Sequence, residues 1–244
     1  MNDARRTLLS ARKEYSRCAA ALEVKIATGG LTPDLSEQII GVGVAADWLR
    51  RASEMEAILY IGEGLNESQR KTPFVDILRY GFAWFGLNAV FSRPSLMHLF
   101  GQPSNPNSEF ERFRVLFDAA ALANSAARTA ALHAILTAPT APRLPSHPTG
   151  TPVSTLFAFD AKYVPAAAKQ RGAARLVAAA ASSGNLTALD LPSLLYAFRN
   201  WSVHGNALDG GFGSRPRFAN YLRILLEVLA EIHFATSSAL RSKL

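Results

Sequence analysis

The sequence predicts an all-α protein, on three observations. Apolar residues recur at spacings of three and four through most of the 244 residues, the period of one helix face. Helix-opening signals stand at Thr32-Pro33, at Thr72-Pro73 and at Asp190 with Pro192, each a capping residue with a proline in the first turn. No run alternates convincingly as a strand would, and no unit repeats at a fixed period. Apolar residues make up 49% and charged residues 18%. That composition excludes disorder for most of the chain, and the length is ample for a real core.

In order, Asp3 to Ala27 reads as a first helix, stopped by Gly29-Gly30. A second opens at Thr32-Pro33 and runs toward Ile61, with Gly41 and Gly43 as its weak point. Gly62 to Lys71 is a polar loop. The third helix opens at Thr72-Pro73 and carries two apolar stripes. Phe74, Ile77/Leu78, Phe82, Phe85 and Ala89 mark one, and Trp84, Leu87 and Phe91 the other. A helix apolar on two faces is central in its domain. Gly101 to Ser108 is a loop, and Phe110 to Leu136 forms one or two Ala-rich helices. Ala138 to Pro152, with five prolines, is a long exposed connection in which His147 is solvated. Ala161 to Ala181 is a further helix, Asp190 to about Gly205 the next, and Pro216 to Leu240 the last.

The net charge of +7 is uneven. Residues 1–111 carry 12 basic and 13 acidic side chains, residues 112–226 carry 12 and 4, and residues 227–244 carry two of each. Base composition explains an Arg-rich chain, but not this asymmetry, which directs the search for an anionic partner to residues 112–226. Cys18 is the one cysteine, which excludes a disulfide framework and multi-cysteine zinc sites. His98, His133 and His233 lack metal-ligand spacing, so no metal is expected, and Cys18 and His133 read as packing residues. Met1 to Arg17 has no apolar h-region. The most apolar stretch, Phe74 to Phe91, is interrupted by Asp76, Arg79 and Asn88. The expectation is a cytoplasmic protein without membrane contact.

Two motifs compete for function. Gly41-Val42-Gly43-Val44-Ala45-Ala46 fits a loose G-x-G-x-x-G/A dinucleotide fingerprint, with Glu63 about 20 residues on. It requires a strand before Gly41 and a βαβ series after it; otherwise these are small residues at a close helix crossing. The second motif is Tyr196-Ala197-Phe198-Arg199-Asn200-Trp201-Ser202-Val203-His204-Gly205. Leu191, Leu194/Leu195, Phe198 and Trp201 form the buried stripe of its helix, leaving Tyr196, Arg199, Asn200 and His204 on other faces. Asn200 and His204 are about 40° apart around an ideal helix, whereas Arg199 and His204 are about 140° apart. Gly205 as a helix-ending residue partly frees His204 from that geometry. Arg199 offers a planar fork of donors for a phosphodiester. His204 titrates near neutral pH, and Asn200 can orient the imidazole or cap the helix end. These are the parts of metal-independent RNA cleavage: a base takes the 2′-hydroxyl proton, an acid protonates the leaving 5′-oxygen, and arginine stabilises the developing charge. The plain alternative is an arginine and a histidine bonding carbonyls at a helix end.

The string Arg199-Asn200-Trp201-Ser202-Val203-His204 resembles the signature of HEPN domains: arginine, usually a polar residue, then histidine after four to six positions. Tyr80-Gly81-Phe82-Ala83-Trp84-Phe85-Gly86-Leu87-Asn88-Ala89-Val90-Phe91 is similar to the aromatic-rich helix found early in several HEPN branches. The resemblance implies an up-down helical bundle over residues 72–240, with residues 1–71 as an N-terminal helical extension and 138–152 as an inserted loop. It implies a homodimer in which two copies of the motif share one cleft, with Arg199 and His204 catalytic, Asn200 supporting, and no cofactor. Arg215 and Arg217, just past the Gly-rich loop, are candidate phosphate contacts. Many HEPN members are endoribonucleases that act as toxins or in anti-phage defence, often neutralised by an antitoxin such as a small nucleotidyltransferase. Others are non-catalytic modules that bind nucleotide, RNA or a partner protein.

Overall fold

A computed structural model describes residues 3–55, 73–122, 124–137, 143–144, 151–152, 191–203 and 216–244. Its helices are α1 (Asp3–Gly29), α2 (Pro33–Glu54), α3 (Pro73–Phe91), α4 (Pro94–Met97), α5 (Glu109–Ala119), α6 (Ser125–Thr137), α7 (Leu191–Val203) and α8 (Pro216–Lys243). The all-α expectation holds. The departure from it is small: β1 (Arg143–Leu144) pairs antiparallel with β2 (Thr151–Pro152), inside the stretch read as an irregular connection. The polar loop 62–71 and the helix expected at 161–181 lie outside the described residues.

The chain divides into two compact units. One comprises Met1–Met55, Arg79–Leu122 and Leu226–Leu244, the other Glu56–Leu78 and Ala123–Leu225. In the first unit α1 and α2 run antiparallel. The Arg5 side chain donates to the Ser53 carbonyl and Arg12 pairs with Glu54, joining the start of α1 to the end of α2. The turn between them is three residues. Gly30 takes φ +81° and its N–H donates to the Ile26 carbonyl at 2.9 Å, ending α1 as glycine can and other residues rarely do. Thr32 then caps α2, its hydroxyl accepting from Leu35 N–H at 3.2 Å, with Pro33 in the first turn.

Ala4, Leu8, Ala11, Tyr15, Cys18 and Leu22, spaced by four and three, form the buried edge of α1. The C-terminal part of α8 meets this edge. Cys18 Sγ lies 3.6 Å from the Ser237 carbonyl, and Arg241 pairs with Glu14 at 2.8 Å. Trp84, fully buried in α3, lies 4.6 Å from the Phe113 ring of α5, and its Nε1 donates to Glu109 at 3.3 Å.

One expectation is corrected here and two are sharpened. α2 ends at Glu54 and runs unbroken through Gly41 and Gly43. Leu35 to Ile40 is helical, so the dinucleotide fingerprint has no strand before it. Gly41 is instead a packing glycine: a Cβ there would lie 2.5 Å from Leu96 Cδ1 and 3.2 Å from the Ala89 carbonyl oxygen. Its smallness lets the α3–α4 corner approach α2, where Ser95 N–H donates to Glu37 at 3.0 Å. Finally, the two α3 stripes differ in depth. Trp84, Leu87 and Phe91 are buried, together with Tyr80, Ala83 and Val90, whereas Phe82, Phe85 and Ala89 are only half-buried. Phe110 to Leu136 resolves into two helices, α5 and α6, separated by Ala121 at φ 43° and Asn124 at φ 62°. Left-handed backbone at non-glycine residues ends one helix before the next begins.

In the second unit Val75 and Ile77 of α3, Thr129 and Leu132 of α6, and Leu222, Ile224 and Leu225 of α8 are buried. Thr129 closes its hydroxyl onto the Ser125 carbonyl at 2.8 Å, which lets a polar residue sit inside. α7 contributes Leu191, Leu194, Leu195 and Phe198 to this core.

Candidate active site

α7 carries the candidate residues because its sequence separates two flanks. Leu191, Leu194/Leu195 and Phe198 recur at three and four and are buried, the face expected from sequence. Tyr196 and Arg199 are half-buried on another flank. The Arg199 guanidinium lies over the Tyr196 ring, 5.7 Å from its centroid. Arg199 and Asn200 thus fall in the last turn of α7, which ends at Val203. The Asn200 and Trp201 side chains, His204, Gly205 and Arg215 lie outside the described residues. Arg217 stands in the first turn of α8, and its side chain also lies outside them. The described geometry therefore places Arg199 and its ring partner, and the motif's second half rests on the sequence.

The other titratable candidates are accounted for by packing. Burial, with Glu14 nearby, pushes the Cys18 thiol up to about 11, which keeps it protonated and a poor nucleophile. His233 is buried in the first unit, against α1 and α3. Its Nε2 lies 2.7 Å from the Ala83 carbonyl, which can only accept, so Nε2 carries the proton. Nδ1 then accepts from the Tyr15 hydroxyl at 3.3 Å. Burial pushes His233 down to about 4 and Tyr15 well above the ordinary tyrosine range. Both are satisfied neutral groups of the core. His98 is exposed, and the His133 side chain lies outside the described residues. Among the described residues no group of three His, Cys, Asp or Glu side chains could hold a metal ion, and no helix is long and apolar enough to cross a membrane.

One surface feature went unnoticed in the sequence. In the first unit a shallow groove of about 270 Å³ is lined by Val44, Trp48, Phe85, Asn88, Ala89 and Ser92. Trp48 rests on Phe82 and Phe85 at 5.4 and 5.1 Å, and the Arg51 guanidinium lies 5.1 Å from its ring. The signal was available: Ile40, Val44 and Trp48 are spaced by four along α2, and Ile40 and Val44 are exposed. The groove holds no titratable side chain, so it offers apolar contact rather than proton transfer. No family model matches the chain, and the searches of curated proteins and of solved structures returned no match either.

Proposed function

We propose that this chain is a HEPN-like, metal-independent endoribonuclease that works in the cytoplasm as a homodimer, as the toxin of a toxin–antitoxin pair or as an anti-phage effector. The observation that carries the reading is the sequence motif Arg199-Asn200-x3-His204, whose Arg199 and Asn200 fall near the end of α7, a helix with a buried apolar stripe on another flank. An imidazole that titrates near neutral pH suits proton transfer, and an always-charged guanidinium one residue before Asn200 suits a phosphodiester. The excess of 12 basic over 4 acidic residues in 112–226 supports an anionic substrate.

In the reaction the ribose 2′-oxygen attacks phosphorus as a base removes its proton. The P–O5′ bond breaks as an acid protonates the leaving oxygen. The products are a 2′,3′-cyclic phosphate and a 5′-hydroxyl. His204 supplies the proton transfers, Arg199 stabilises the phosphorane-like charge, Asn200 holds the imidazole, and Arg215 and Arg217 contact flanking phosphates. Arg199 and His204 are about 140° apart on one ideal helix. A two-fold axis beside the helix end lets the pairs of two subunits converge on one cleft, which an antitoxin such as a nucleotidyltransferase would cover.

The test is cleavage of RNA in EDTA by wild type, Arg199→Ala and His204→Ala. Wild type should cleave, and each variant should lose about 10²-fold or more. A wild type that cuts no RNA, or variants that cut normally, would falsify the assignment. Stable RNA binding without cleavage would favour the non-catalytic module.

A further inference from the structure

The outward flank of α2 carries both halves of a self-fitting contact. Ile40 is 47% exposed, a branched apolar side chain left half in solvent. Within two turns of it lies the groove of about 270 Å³ lined by Val44, Trp48, Phe85, Asn88, Ala89 and Ser92. Val44, 38% exposed, stands between Ile40 and Trp48 along the helix. Residues 37, 40, 44, 48 and 51 recur at three and four, so they share this flank. We propose that this α2–α3 face docks on the same face of a second copy of the chain. The two α2 helices run antiparallel and cross at Val44, and each Ile40 seats in the groove of the other copy. The inference goes beyond the endoribonuclease reading: the face lies in the first unit, holds no residue of the Arg199–His204 motif, and does not depend on catalysis.

Symmetry and charge choose this occupant. A two-fold contact is isologous, so one surface must supply knob and hole together. About Val44, antiparallel pairing sets Ile40 opposite the partner's Trp48 and Glu37 opposite the partner's Arg51, and each contact occurs twice. The first two turns of α2 carry Asp34 and Glu37 and no basic residue. The last two carry Arg50 and Arg51, with Arg12 of α1 bonded alongside, against Asp47 and Glu54. Antiparallel pairing therefore brings an acidic end to a basic-rich one, and parallel pairing would set like ends together. Moving the crossing to Val42 would put Glu37 against the partner's Asp47, and Val42 is itself buried. Trp48 is ordered before docking: its ring rests on Phe82 and Phe85 at 5.4 and 5.1 Å, with the Arg51 guanidinium 5.1 Å away. That lowers the cost of association. Tryptophan and arginine dominate protein–protein contacts, where lysine is depleted, and neither α2 nor α3 contains a lysine. Residues 1–111 have no basic excess, so the face does not suit an anionic polymer.

The experiment measures mass by light scattering and thiol crosslinking, on the full chain without RNA. At about 100 µM wild type should have about twice the mass of Val44→Glu and of Ile40→Glu, because docking would bury either carboxylate unpaired. Circular dichroism should show both variants as helical as wild type, since both positions are exposed in one protomer. Native Cys18 is buried, so Val44→Cys has one accessible thiol, and at a two-fold crossing that thiol faces its own copy within disulfide reach. Oxidised with diamide, Val44→Cys should link into dimers at least about tenfold faster than Val24→Cys, whose position is exposed on α1. The inference is overturned if wild type has the mass of the glutamate variants, or if Val24→Cys links as fast as Val44→Cys. A monomeric wild type would also remove the homodimer from the reading above, whereas a dimer that the glutamates leave unchanged would overturn this face alone. If a glutamate variant does not fold, the cysteine pair decides.

Discussion

His233 sets the clearest residue-scale expectation. Its imidazole is buried with Nε2–H on the Ala83 carbonyl and Nδ1 on the Tyr15 hydroxyl, and burial lowers it from 6.5 to about 4. The unfolded chain therefore binds a proton between those values that the folded chain does not. Its contribution is fully present above pH 6.5 and is lost as pH falls toward 4. Between pH 7.5 and 5 the loss should be about 2 kcal/mol. His233→Gln keeps a donor in the same place and cannot titrate, so its stability should fall less with acid by that amount. Urea midpoints of both proteins at pH 7.5, 6 and 5 provide the comparison. Parallel pH profiles would show that His233 is not held neutral. The same crowding acts through Gly86, where a Cβ would stand 3.0 Å from His233 Cε1.

At the scale of elements, the α2 glycines separate two roles that look alike in sequence. Gly41 is buried against Leu96 and Ala89, while Gly43 is exposed with nothing within 4 Å of its missing Cβ. Gly41→Ala should cost about 1–3 kcal/mol through overpacking. Gly43→Ala should gain about 0.5–1 kcal/mol, because alanine is the better helix former. Thermal unfolding of the two variants checks this, and equal shifts would contradict the packing assignment. The pair also shows why parts of the fold were legible and others were not. Helix ends written by local chemistry were readable: Gly30 after α1, Thr32 before α2 with Pro33 opening it, Pro73 opening α3 and Pro216 opening α8. The depth of each α3 stripe was not, because a period says which residues share a face and not what covers it. Phe82 and Phe85 look as apolar as Trp84 and Leu87 yet remain half-buried. The Gly-x-Gly pattern was ambiguous for the same reason, since a close approach to a helix and one to a pyrophosphate both call for glycine. At the candidate site, α7 and its buried stripe were readable from spacing. The ring beneath Arg199 needed coordinates, since Tyr196 at three residues' distance is equally compatible with a side chain turned away.

For the whole molecule, charge carries more than its total. The +7 is concentrated in residues 112–226, the stretch that also contains Arg199, His204 and Arg215, so the proposed RNA partner should bind with an affinity that salt weakens. Charge does not choose among nucleic acids; the proposed reaction does. Attack by a ribose 2′-hydroxyl needs neither a metal nor an external nucleophile, but it needs that hydroxyl. The most direct measurement is therefore cleavage in EDTA of one RNA oligonucleotide beside the same sequence in 2′-deoxy form. Expected is scission of the RNA to products ending in 2′,3′-cyclic phosphate, with the deoxy strand intact. Cleavage of both strands, 3′-hydroxyl products, or no cleavage of RNA until a divalent metal is added would contradict catalysis by Arg199 and His204.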